Sequence, residues 1–315
     1  MGVEGSSQFN DPNALAGFSN DVDYTEQQIG AFLNNEVGLS VVAIERLGQG
    51  TDSIVFLITK RWIFKFACRR QAIGLTKAEA YVLARLAKES LPVAVPRIIW
   101  SGLFDGQWPY IGYPLIPGRV GYRCDFDAQQ RAQTGIVLAK FLRALHAITP
   151  TSDDLEALPE DRFGRVPMND WIDEIESRVN ALLRTGLVKE PSDRLTVTSA
   201  ARGCCLGDRV SLVHRDLTVK NMLFADSLQG VVDWADARMG HPAIDLEIVY
   251  LFLPASCRAV FWTHYGEVPS AWRALARLRA LYRTGFWISA PEYQTDPAFR
   301  KEARQALQFA LESRC

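Results

Sequence analysis

No apolar run in the 315 residues approaches the roughly 18 that a membrane-spanning helix requires. Residues Met1 to Ser7 have neither the basic nor the apolar stretch of a secretory signal, so a cytoplasmic protein with no membrane partner is expected. Cysteine is sparse: six residues, at 68, 124, 204, 205, 257 and 315, with no C-x-x-C pair. That scatter argues against structural zinc and suits reduced thiols. An excess of one charge is missing too. The formal net charge is −1, which offers no global attraction to nucleic acid. There is no internal repeat. What remains, at 48% hydrophobic and 23% charged, is ordinary for a globular protein long enough for two lobes.

What is present is concentrated in residues 212–246. Leu212-Val213 leads into His214-Arg215-Asp216-Leu217, and Asn221 follows five residues after Asp216. Twelve residues beyond Asn221, the run Val231-Val232 delivers Asp233, followed by Trp234. This is the spacing H-R-D-L-x-x-x-N with a later metal-binding Asp, a pattern of phosphoryl transfer. That chemistry asks for positioning and charge neutralisation more than covalent work. Asp216 is expected to orient an incoming hydroxyl or accept its proton. Asn221 and Asp233 supply hard oxygens of the kind Mg2+ takes, its shell completed by phosphates and water. Asp245 reads as structural, buried behind the loop and accepting the hydrogen bonds that fix it. Asp236 is either a third metal-shell or substrate acid, or a solvated turn residue.

Upstream, residues 1–20 read as a flexible tail and 21–116 as a first lobe. Thr25 N-caps a helix through Asn35. Val41–Leu47, Ile54–Thr59 and Trp62–Phe66 read as strands, the first two joined by Gly48-Gln49-Gly50-Thr51-Asp52-Ser53. Gly48 and Gly50 let backbone N–H groups approach phosphates, and Ser53 offers a hydroxyl. A G-x-G turn alone also fits an ordinary hairpin. Lys65 shares a strand face with Ile63. It is either a solvated lysine or the cation for the α- and β-phosphates of ATP or GTP. In the second case Glu79, one turn inside a helix over Thr76–Lys88, would hold it. Val55, Ile63 and Leu223 are placed to sandwich a flat base. Trp108 to Gly118 is an apolar strand ending in a Pro/Gly corner, where Leu115 and Ile116 stand at a hinge that offers backbone groups to the base.

The second lobe, 117–315, reads as mainly helical, over Phe126–Ile148, Met168–Arg184, Ala243–Phe252, Ala271–Ile288 and Pro297–Ser313. His146 reads as a packed or capping histidine. Asp170, Asp173, Glu174 and Glu176 complement a helix dipole, or bind a polycation. Arg273, Arg277, Arg279 and Arg283 read as a solvated or salt-bridged face. The expected class is α+β: a small antiparallel sheet with one key helix, then a larger helical lobe.

With these residues in view, the chain resembles the aminoglycoside phosphotransferase family, of the two-lobed protein-kinase-like fold, from about residue 25 onward. The carriers are Ile63-Phe64-Lys65-Phe66, the helix with Glu79, Val95-Pro96, Gly112 to Gly118, Leu142 to His146, His214 to Asn221, Val231 to Trp234 and Pro242 to Leu246. Asp233-Trp234 stands where protein kinases have D-F-G, and no A-P-E segment follows, which marks a small-molecule kinase. Arg215 stands where family members usually have Gly, and His241 where an Asp is usual. The first lobe and hinge are similar to aminoglycoside 2″-phosphotransferases, and Asp233 to Arg238 to macrolide phosphotransferases. The resemblance implies a monomer that transfers the γ-phosphate of ATP or GTP, with Mg2+, to a hydroxyl of an aminoglycoside antibiotic, conferring resistance. The acids at 170–176 tilt the acceptor that way, since ammonium groups need carboxylate partners, and Asp170, Asp173, Glu174 and Asp236 are the candidate substrate contacts. A macrolide 2′-phosphotransferase and a metabolic kinase for choline, a sugar or homoserine stay open. A non-catalytic regulator is disfavoured, because Lys65, Glu79, Asp216, Asn221 and Asp233 are all present.

Overall fold

The computed structural model describes residues 20–50, 52–158, 177 and 209–312. The expected tail, Asn20 aside, and the expected helix Met168–Arg184, Ser177 aside, lie outside the described residues. The chain forms two compact units. The first runs to Ala87 and resumes over Pro96–Leu115; the second holds Lys88–Val95 and continues from Ile116.

In the first unit, Thr25 caps α1 (Glu26–Asn35). Its hydroxyl accepts from the Gln28 amide at 3.2 Å, and the Gln28 side chain accepts from the Thr25 amide at 3.0 Å. This capping box satisfies donors that a bare helix end leaves open. Five antiparallel strands follow: β1 (Ile44–Gln49), β2 (Ser53–Ile58), β3 (Trp62–Ala67), β4 (Trp100–Phe104) and β5 (Trp108–Pro114), ordered β1-β2-β3-β5-β4. The register pairs Val55 with Lys65 and Leu57 with Ile63, so these four share a face, while Phe56, Phe64 and Phe66 take the other. That aromatic face closes with Ile29 and Leu33 of α1 into one core, which also holds Tyr24, Trp108 and Tyr110. Each large side chain so buried contributes roughly 1.5–3 kcal/mol. Gly112 on β5 is needed for this packing, because a Cβ there would lie 2.6 Å from the Phe64 ring.

The helix that carries Glu79, α2, spans Ala72–Leu86 and therefore starts four residues before the Thr76 expected from sequence. Gln71 at its N-cap makes no side-chain capping bond, so the true start carries no signal. Thr76 is instead an interior residue, 3% exposed, and Glu79 lies deeper in the helix than expected.

In the second unit, Ala94 bridges Gly230 in parallel, donates to the Gln229 carbonyl at 3.2 Å and accepts from Val231 at 2.9 Å. These bonds tie Lys88–Val95 to it. Strands β6 (Arg119–Val120), β8 (Met222–Phe224) and β9 (Leu228–Val231) form one sheet, and β7 (Ser211–Val213) pairs with β10 (Arg238–Gly240). The helices described are α3 (Ala128–His146), α4 (Ser152–Ala157), α5 (Glu247–Phe252), α6 (Ala255–Tyr265), α7 (Ser270–Ser289), α8 (Pro291–Thr295) and α9 (Pro297–Leu311). Among the described residues no helix is long and apolar enough to cross a membrane. The sequence reading missed α6, which Pro254 opens and Gly266, at φ +111°, closes. Gly118 turns the chain at φ +140° with its Cβ position 3.0 Å from the Phe224 amide, so the corner admits only glycine.

Candidate active site

In the first unit Lys65 is not solvated. Its Nζ meets Glu79 Oε2 at 2.8 Å, with the two side chains 8% and 1% exposed. A buried ion pair of this kind is weak evidence for stability, because desolvation offsets the Coulomb gain. Val55 and Ile63 lie on the same sheet face as Lys65. Ser53 is buried at the start of β2, and Gly50 donates to its carbonyl at 2.9 Å. Neither Gly48 nor Gly50 adopts a positive φ. Among the described residues an added Cβ at Gly48 would meet nothing within 4 Å, and at Gly50 only the Ser53 carbonyl at 3.8 Å. Packing among the described residues thus does not demand glycine at either position. Leu115, 38% exposed, ends this unit; Ile116 begins the other and covers Gly230 there.

The second unit brings Asp216, Asn221 and Asp233 together by nesting two connections. The 214–221 loop joins β7 to β8, and the 232–237 turn joins β9 to β10. Because β8 pairs with β9 and β7 with β10, the loop and the turn are forced alongside each other. Val232 donates to the Asn221 carbonyl at 2.9 Å, one residue before Asp233. The Asn221 Nδ2 donates to the Asp216 backbone oxygen and to Asp216 Oδ2, both at 2.8 Å. With its amide nitrogen committed to Asp216, Asn221 turns its carbonyl oxygen the other way. Leu223 follows on β8, half-buried.

Asp245 holds this loop from behind. It is 1% exposed and accepts from the His214 amide at 2.8 Å, the Arg215 amide at 2.8 Å and His146 Nε2 at 3.2 Å. Burial works to raise its pKa, but the His146 hydrogen bond and charge, with those of His214, outweigh it and hold the carboxyl below its ordinary value. His146, buried and bonded also to the Tyr265 hydroxyl at 2.9 Å, is therefore a packed histidine behind the site. His214 Nδ1 accepts from the Asp216 amide at 3.3 Å and its Nε2 bonds the Val232 carbonyl at 3.1 Å, joining loop to turn. Its ring lies 4.5 Å from that of the buried Trp234. His241, where an Asp was the familiar residue, caps the 242–244 turn by accepting from Ala243 at 3.2 Å. Two residues here take left-handed backbone: Arg215 at φ 69° and Asp233 at φ 64°. Such conformations cost about 1–3 kcal/mol each and cluster at functional sites.

Asp236 sits in the same turn. Although its surface is exposed, the protein around it desolvates the carboxyl and raises its pKa above the ordinary value, with the Asp216 charge adding and Arg215 opposing. Its exposed surface is that of a turn residue, and Asp216 and Asp233 stand near enough for their charges to act on it. Asp170, Asp173 and Glu174 lie outside the described residues.

The sequence reading put Arg283, with Arg273, Arg277 and Arg279, on a solvated or salt-bridged face of α7. The salt-bridged alternative holds: Arg283 bonds through Nη1 to Asp216 Oδ1, and through Nη2 to Glu247 Oε1 at 2.7 Å and the Arg215 carbonyl at 3.0 Å. Burial opposes its charge, yet Glu247 and Asp216 outweigh that and hold the guanidinium firmly protonated. Arg279, one helical turn earlier, meets the other Glu247 oxygen at 3.5 Å. The i, i+4 spacing of Arg279 and Arg283, beside buried Ala276, Ala280 and Trp287, was the signal available. Glu247 was missed because the helix was read from Ala243, which leaves Glu247 an ordinary interior helix acid; the observed helix begins at it.

Among the described residues no cluster of three or more His, Cys, Asp or Glu could hold a metal. The donor set that Mg2+ takes with nucleotides is smaller, one or two carboxylate-type oxygens with phosphates and water. Asn221 and Asp233, on connections joined by the Val232–Asn221 backbone bond, are of the types that fit that set.

A buried Lys–Glu pair beside a glycine turn, and an Asp/Asn loop backed by a second Asp turn, are the parts of a kinase-type phosphotransferase. A model of the phosphotransferase enzyme family matches residues 43–281, and the chain belongs to that family. Its fold is that of known members. The GDP complex of aminoglycoside 2'-phosphotransferase-IIIa is similar at 19% identity and TM-score 0.66, covering 90% of this chain and 97% of that one. A GDP and kanamycin complex of an APH(2") enzyme is similar at 20% identity and TM-score 0.67, covering 91% and 98%. The macrolide 2'-phosphotransferase MphH from Brachybacterium faecium is similar at 23% identity and TM-score 0.59, covering 88% and 98%. The chain is a small-molecule phosphotransferase, related to aminoglycoside and macrolide kinases.

Proposed function

We propose that the protein transfers the γ-phosphoryl group of ATP or GTP to a hydroxyl of an aminoglycoside antibiotic, as a cytoplasmic monomer whose activity gives resistance. The observation that carries the reaction is the Asp216–Asn221 contact, 2.8 Å, with the Asp233 turn nested against it. Asp216 orients the acceptor hydroxyl and takes its proton as the O–P bond forms, while the nucleoside diphosphate leaves with the former bridging oxygen. Lys65, paired with Glu79, serves the α- and β-phosphates, and Gly48, Gly50 and Ser53 the phosphate-facing turn. Val55, Ile63 and Leu223 take the base, and Leu115 and Ile116 its edge. Bound Mg2+, held by Asn221 and Asp233, would neutralise phosphate charge.

Acids support the aminoglycoside: Asp236 in the turn, and Asp170, Asp173 and Glu174 in the sequence. A macrolide, with less positive charge, is the second reading, favoured by Arg215, Arg238 and Arg283 standing near Asp236. The test is nucleotide consumption with kanamycin, erythromycin and choline, each with ATP and GTP. Phosphorylation of kanamycin supports the proposal, turnover of erythromycin alone moves the acceptor to the second reading, and choline alone points to a metabolic kinase. Asp216→Ala is expected to abolish turnover while nucleotide still binds; substantial retained turnover sinks the role given to Asp216.

A further inference from the structure

We propose that Arg283 is a positioning residue for Asp216, holding its carboxylate in the one orientation that presents it to the acceptor hydroxyl. The inference rests on the reading of Asp216 as the hydroxyl-orienting group. An Asp side chain that is 30% exposed has a broad, nearly two-fold terminal torsion and does not fix itself. Here it is gripped from both sides. Asn221 Nδ2 holds Oδ2 at 2.8 Å, and Arg283 Nη1 holds Oδ1.

The grip on Oδ1 is itself braced. The second Arg283 nitrogen is shared between Glu247 Oε1 at 2.7 Å and the Arg215 carbonyl at 3.0 Å. Glu247, 2% exposed, opens α5 two residues after Asp245, and Arg279 faces its other oxygen at 3.5 Å. The planar guanidinium thus spans three acceptors in a geometry that lysine cannot copy. The bond to the Arg215 carbonyl also ties α7 to the left-handed residue just before Asp216. A loop whose sequence reads H-R-D therefore depends on a helix that begins more than fifty residues later. Phosphoryl transfer through a loose transition state depends on where the attacking oxygen points, so the orientation of Asp216 is what Arg283 controls.

The experiment compares Arg283→Met, Arg283→Lys and the double variant Arg283→Met/Glu247→Gln, which leaves no stranded carboxylate, with the best acceptor of the panel above. Nucleotide binding counts functional sites, and thermal melting reports folding. For Arg283→Met we expect kcat per nucleotide-binding site to fall roughly 10- to 100-fold, the scale of a misplaced reacting group. Nucleotide affinity should stay within about twofold, as expected when the lost contact serves the transition state alone. Arg283→Lys, which keeps the charge and the fold, should recover part of the loss. The proposal is overturned if either Met variant keeps kcat per site within about threefold of the parent. It is equally overturned if activity falls only in proportion to lost sites. If Arg283→Met does not fold, the double variant and Arg283→Lys carry the test, and a Lys variant with full kcat per site overturns it. Asp216→Asn separates the two readings: retained turnover there refutes the role of Asp216, whereas its loss alongside an active Arg283→Met refutes only the role of Arg283.

Discussion

Replacing Asp245 by Asn changes one oxygen for an NH2 group inside a site that offers only donors. In the parent, Oδ2 accepts from the His214 amide at 2.8 Å and from His146 at 3.2 Å, while Oδ1 accepts from the Arg215 amide at 2.8 Å. The Asn carbonyl can replace one of these oxygens. Its NH2 must then face a backbone N–H, which loses its acceptor at a cost of about 1–3 kcal/mol. The surviving bonds lose their charge assistance, about 1 kcal/mol more in total. The expected destabilisation is therefore about 2–4 kcal/mol, read at pH 7 from urea unfolding followed by tryptophan fluorescence.

The pH dependence follows from the direction of the Asp245 shift. Its folded pKa lies below its unfolded one, so its contribution is fully present above the unfolded value, about 3.9, and is lost as pH falls through the folded value. The gap between parent and variant should stay constant from pH 7 to about 4.5 and close only in stronger acid. A gap below about 1 kcal/mol at pH 7 would refute the donor count. A gap that closes between pH 7 and 5 would show that another group titrates.

Three further outcomes follow from the first unit. Glu79→Ala removes the carboxylate 2.8 Å from the 8%-exposed Lys65 Nζ and should lower stability by up to about 3–5 kcal/mol in urea unfolding, with weakened nucleotide binding. Glu79→Gln, which keeps a hydrogen-bond partner, should cost less; equal losses would deny the ion pair. Gly50→Ala should leave stability within about 1 kcal/mol, since its Cβ would meet only a carbonyl at 3.8 Å, yet raise the nucleotide KM several-fold. A variant with unchanged KM would remove the turn from the phosphate site. Gly112→Ala should destabilise by about 1–3 kcal/mol through overpacking against Phe64, and an unchanged midpoint would mean the ring moves freely.

Much of the site was legible because phosphoryl transfer fixes residue types at fixed spacings. His214, Asp216, Asn221 and Asp233 stand close in sequence on nested connections, so spacing alone conveys their neighbourhood. Lys65 and Glu79 were legible as a pair, but the start of α2 was not, because Gln71 provides no capping bond. The capping boxes at Thr25 and at Asp127, which opens α3, left sharp boundaries instead. What stayed hidden were contacts made across long stretches of chain. The i, i+4 spacing of Arg279 and Arg283 marks a shared helix face, but nothing local to them or to Glu247 names the loop that face meets.

Backbone strain was hidden in the same way. At Arg215, where the resemblance led us to expect glycine, φ is 69°, a conformation glycine adopts without strain. An arginine accepts that conformation at a cost of about 1–2 kcal/mol. Its amide is held by Asp245 at 2.8 Å and its carbonyl by Arg283 at 3.0 Å. Two hydrogen bonds of this charge-assisted kind contribute about 1.5–3 kcal/mol each, enough to offset the strain. The H-R-D form of the loop and the Arg283–Glu247 brace are thus one arrangement. Removing the brace should leave Arg215 with strain that only the Asp245 bond then opposes.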